Sequence, residues 1–65
     1  MSFQAYGFQL GTDYFVISYV GNNKWVLVNQ TTGSQESELL LGSPEDLLEK
    51  DVIKVAEEEI LELFT

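Results

Sequence analysis

The stretch Tyr14–Asn29, YFVISYVGNNKWVLVN, constrains this chain more than any other. It holds two runs rich in β-branched and aromatic residues, the types that fit a pleated, half-buried surface. Between them lies Gly21-Asn22-Asn23, residues that tolerate the positive φ of a tight turn. The reading is a β-hairpin whose register stays open between two loops. A three-residue loop over 21–23 sets Tyr19 opposite Trp25 and Ile17 opposite Leu27, with Phe15 on the same side. The other side then carries Val16, Ser18, Val20, Lys24, Val26 and Val28. A two-residue loop at Asn22-Asn23 pairs Val20 with Trp25 and Tyr19 with Val26. That one-residue slip swaps the faces, because the side-chain period is two. The three-residue loop is preferred: it gathers the large residues on one face, and aromatic cross-strand pairs stabilise a ribbon. In either register both faces are largely apolar, whereas a sheet with one wet face alternates more cleanly. Each side therefore calls for a cover, the rest of the chain on one and a partner on the other.

Shorter patterns flank the hairpin. Phe3–Leu10 reads as a strand with Tyr6, Phe8 and Leu10 on one face and Phe3, Ala5, Gly7 and Gln9 on the other. Gly7 there marks a bulge or a close approach. Gly11-Thr12-Asp13 is a turn by composition, and Gln30–Ser34 is a second polar loop. Gln35–Leu41 reads as a fourth strand, with Glu36, Glu38 and Leu40 on one face and Ser37, Leu39 and Leu41 on the other. Such short connections favour an antiparallel meander.

Gly42-Ser43-Pro44-Glu45-Asp46 carries the start signals of a helix. Ser43 caps, Pro44 suits the first turn, and the two acids favour the positive end of the dipole. At 100° per residue, Leu48, Val52, Val55, Ala56, Ile60 and Leu63 share one face, which predicts a helix to about residue 63. Glu59 in the middle of that face, Leu47 and Leu61 on the opposite side, and the lack of a basic last turn speak against it. The rival reading ends the helix near Glu58 and makes Ile60–Phe64 a fifth strand. The expected fold is α+β: one small domain over 1–65, a small antiparallel β-meander of three to four strands with one C-terminal α-helix packed on it. The strands fall at about 3–10, 14–20, 24–29 and 35–41, and the helix at about 44–63. A chain this short holds a marginal core, worth about 3–5 kcal/mol.

Chemistry is narrowed by what the chain lacks. It has no His and no Cys. The commonest general base, the Ser-His-Asp/Glu triad, the Cys nucleophile and the usual zinc ligands are therefore missing. There is no Gly-rich phosphate cradle. Carboxylate catalysis needs two acids in different environments across a cleft, which a chain of this size hardly encloses. The expectation is no enzyme, no cofactor and no metal. Asn29-Gln30-Thr31 fits the N-glycosylation pattern, a triplet that arises easily by chance.

Charge is one-sided. The chain carries a net charge of −8, and residues 36–65 hold ten of its eleven acids. With three lysines and no arginine, direct binding of nucleic acid or of an anionic membrane is not expected. No basic region precedes an apolar core at the N-terminus, and no apolar run spans a bilayer, so a cytoplasmic protein is expected. A basic protein partner is the electrostatic match. Trp and Tyr are enriched at binding hot spots, so Trp25 and Tyr19 head the candidate contact residues. The acids Glu49, Asp51, Glu57, Glu58 and Glu62 join them, and Leu47, Leu61 and Phe64 extend the surface. The functional expectation is a non-enzymatic acidic interaction module. In its sharpest form it is an inhibitor whose carboxylates mimic nucleic-acid phosphates on a basic partner. The alternative is a self-associating structural or accessory subunit of a larger complex, a homo-oligomer with no mimicry.

Overall fold

In a computed structural model, which describes residues 4–63, four strands and one long helix form an α+β meander. The strands are β1 (Ala5–Leu10), β2 (Asp13–Gly21), β3 (Lys24–Asn29) and β4 (Ser34–Leu40), in sheet order β1-β2-β3-β4 and all antiparallel. A 3-10 turn (Pro44–Asp46) follows, and then α1 (Glu49–Leu63). The expected strand start at Phe3 lies outside the described residues, as do the proposed role of Phe64 and the last residue of the rival fifth strand.

Both hairpin readings hold part of the truth. Tyr19 pairs with Trp25 and Ile17 with Leu27, the register of the longer loop. At the tip, however, Gly21 pairs with Lys24 around a two-residue turn, with Asn22 at φ 54° and Asn23 at φ 63°. Two positive φ values in succession are the primed turn whose twist matches that of the strands. A bulge at Val20, beside Gly21 at φ 100°, absorbs the one-residue difference.

One face of the sheet carries the large side chains. Phe8 stacks on Phe15, with centroids 5.6 Å apart, and Ile17, Trp25 and Leu27 are fully buried beside them. The helix lies across β1 and β2 on this face and closes it with Val52, Ala56 and Ile60, a stripe at i, i+4 and i+8. The stripe is narrower than the sequence implies: Leu48, Val55 and Leu63 remain exposed. Glu59 no longer conflicts with the helix. It is half-buried at the rim, where its carboxylate accepts a 2.9 Å hydrogen bond from the Ser37 hydroxyl on β4.

The expected helix over 44–63 is corrected at its start. Ser43 does cap, its hydroxyl accepting from the Glu45 N–H, but only a single 3-10 turn follows. Leu47 is extended at φ −124° and ψ 145°, and α1 begins two residues later. In a continuous helix Leu47 would point away from the Val52–Ala56–Ile60 stripe, into solvent. The break turns it inward, half-buried against the core. The end follows the helical reading, since α1 runs to Leu63 and no fifth strand forms among the described residues.

Candidate interaction surface

The fold separates the expected contact residues. Trp25 is fully buried, its indole N–H donating 2.8 Å to the Gly42 carbonyl. Its ring lies between Tyr6 and Tyr19, at centroid distances of 5.8 and 5.2 Å. The expectation that Trp25 heads an exposed contact surface is therefore corrected: the aromatic face is the one the helix covers. An indole there gains the largest apolar burial while its single donor still finds an acceptor. Tyr19 is half-buried at the edge of this cluster, and its hydroxyl accepts from the Asn23 N–H at 3.2 Å. It lines a shallow open depression of about 340 Å³ with Gln4, Ser43, Pro44 and Glu45.

The acidic candidates stand elsewhere. Glu49, Asp51, Glu58 and Glu62 are exposed along α1, and Glu57 is half-buried. They do not make an unbroken array. Lys50 and Lys54, one turn apart and both exposed, fall among them. Among the described residues no group of three or more acids is placed to hold a metal ion. None of the helices there is long and apolar enough to cross a membrane. Glu36 and Glu38 do not share a regular strand face either. Glu36 is the extra residue of a bulge between the Leu27–Ser37 and Val28–Gln35 pairs, while Glu38 pairs with Val26. Glu38 lies 3.7 Å from the Lys24 ammonium, with both side chains about half exposed. An ion pair this wet adds little stability.

Asn29 has a structural role. It is 3% exposed, and its amide donates to Asp13 at 3.0 Å. Its carbonyl oxygen accepts from the N–H groups of Thr31 and Thr32 at 2.9 and 3.0 Å. The β3–β4 loop is thereby held against the start of β2, where the Thr31 hydroxyl accepts from the Tyr14 N–H. The side chain a glycan would need is occupied inside the fold.

What remains open is the second face of the sheet, opposite the helix. Val16, Val26 and Val28 form its centre, each only partly covered by strand neighbours. At its margins Val20 is 55% exposed and Leu40 76% exposed. Tyr14 lies diagonally over Gly7, where an added Cβ would overlap the phenol hydroxyl. Gly7 is thus no bulge, since it pairs regularly with Val16. It is a gap in the pleat filled by a neighbouring aromatic ring, as glycines in strands often are. This face was visible in the sequence as the period-two valines of Tyr14–Asn29. Hot-spot preference for Trp and Tyr drew attention to the opposite one. Compared with known proteins, the chain matches no family model, no curated protein and no solved structure.

Proposed function

We propose that this chain is a non-enzymatic protein-interaction module whose contact surface is the open valine face of the sheet. One observation carries the reading. Aliphatic side chains from β2, β3 and β4 stand together on a face that no part of the described chain covers. Contiguous exposed apolar surface on a small domain favours a protein partner. The lack of His and Cys, and the shallowness of the concavities, agree with a binding role rather than a catalytic one. The acids of α1 lie on the far side of the molecule and serve solubility in this reading. A phosphate mimic gains less support, because Lys50 and Lys54 interrupt its carboxylates.

The test is capture on the immobilised chain at low and at about 1 M salt, where exposed charges are screened, with wild type beside Val26→Lys. A partner retained at high salt and lost with Val26→Lys supports the open face. A basic partner lost at high salt and indifferent to Val26→Lys would shift the function to the acidic helix.

A further inference from the structure

We infer that the occupant of the open face is a second copy of this chain, packed sheet against sheet about a two-fold axis. This deepens the proposed function and rests on it. Charge selects the partner. The chain as a whole carries −8, yet among the described residues the charged side chains that β3 and β4 pair regularly on the open face are Lys24 and Glu38, which offset each other 3.7 Å apart. A basic partner gains nothing from such a face and is drawn instead to the acids of α1, on the other side. An acidic partner meets no positive patch. A second copy meets a neutral surface like its own, and back-to-back packing places the two acidic helices on the outside of the assembly. Their mutual repulsion falls with that separation.

Shape agrees with charge. The centre of the face is short, branched valines without a deep pocket or a protruding loop. Two sheets of this kind pack about 10 Å apart with their strands about 30° from parallel. A two-fold contact uses the same patch on both copies, so a flat, self-similar patch is suited to it. Area sets the strength. Four strands spaced about 4.8 Å, paired over about six residues at about 3.4 Å per residue, present a footprint of about 400 Å². Two copies bury about 800 Å² of footprint, below the roughly 1,200–2,000 Å² of standard specific interfaces and in the range of weak, transient ones. The association is therefore reversible and concentration-dependent. It also supplies the second core layer that a chain of 65 residues otherwise lacks.

The experiment is sedimentation equilibrium of the purified chain up to about 1 mM, at low and high salt, for wild type, Val26→Lys and Leu40→Lys. Far-ultraviolet dichroism and Trp25 emission report the fold, since Trp25 sits on the covered face. Wild type is expected to form a dimer that tightens as salt screens the net charge. Val26→Lys appears twice across the two-fold, at the centre, and is expected to weaken the dimer at least about tenfold with the fold intact. Leu40 is 76% exposed, so Leu40→Lys keeps the test available if Val26→Lys unfolds. A wild-type chain that stays monomeric throughout would overturn the inference. So would a dimer that ignores both face variants but is lost with Leu61→Glu on the helix. A monomer whose capture of a different protein is abolished by Val26→Lys would overturn the second copy while leaving the interaction module standing.

Discussion

Replacing Asn29 by alanine should remove about half of the stability of this domain. The side chain makes three hydrogen bonds, to Asp13 and to the N–H groups of Thr31 and Thr32, and it is 3% exposed. Each is worth about 1 kcal/mol net, and a bond to a carboxylate somewhat more. Two facts lower the sum. Thr31 and Thr32 are exposed, so water reaches their amides once the side chain is gone, and Asp13 is only partly buried. The expected loss is about 2–3 kcal/mol, against a total of about 3–5 kcal/mol for a domain of this size. At about 4–8 °C per kcal/mol, the thermal midpoint falls by roughly 10–20 °C. The assay is thermal unfolding followed by dichroism and Trp25 emission, at one protein concentration, because association adds to apparent stability. Gln30→Ala, next door and exposed, is the control and should stay within about 0.5 kcal/mol of wild type. A midpoint for Asn29→Ala within about 2 °C of that control would refute the structural role given to this side chain.

Four further outcomes follow from the packing. Ile60→Ala opens a cavity beneath α1 where the side chain is 1% exposed, and should cost about 2–5 kcal/mol in denaturant unfolding. The same assay should place Val20→Ala, at the exposed margin, within about 0.5 kcal/mol of wild type. Ser37→Ala and Glu59→Gln should each cost about 1 kcal/mol, and a double-mutant cycle should show the two coupled rather than additive, since they share the latch between α1 and β4. Gly7→Ala forces the Tyr14 ring off the sheet, so it should destabilise the wild-type chain by about 1 kcal/mol yet cost less when Tyr14 is already alanine. Equal costs in the two backgrounds would show that the ring does not fill that gap.

Much of the fold was legible because its rules are local. The pairs Tyr19–Trp25 and Ile17–Leu27 follow from a side-chain period of two together with a turn signal. The bulge at Val20 was not, because Gly21-Asn22-Asn23 fits either loop and only the strands' twist and the packing of β3 select both at once. The cap at Ser43 was legible, but the break at Leu47 was not. A capping signal states that a turn starts, and only the core decides whether Leu47 is needed inside. Glu59 looked misplaced on an apolar helix face because its partner, Ser37, is 22 residues away in sequence. The burial of Trp25 was not legible for a related reason. Trp and Tyr are common both at hot spots and in small cores, and residue type alone does not say on which face the single helix settles. The charge asymmetry was plain in the sequence. That Lys50 and Lys54 fall among the exposed acids of α1 follows once the helix is placed.

Whether the valine face meets its own copy is read from nuclear Overhauser contacts in a sample mixing isotope-labelled and unlabelled chains. At about 1 mM, intermolecular contacts are expected from the methyl groups of Val16, Val26 and Val28 and none from those of Val52 or Ile60 beneath the helix. Intermolecular contacts confined to α1 would contradict it. So would valine methyls that show no intermolecular contact and are fully relaxed by a soluble paramagnetic probe.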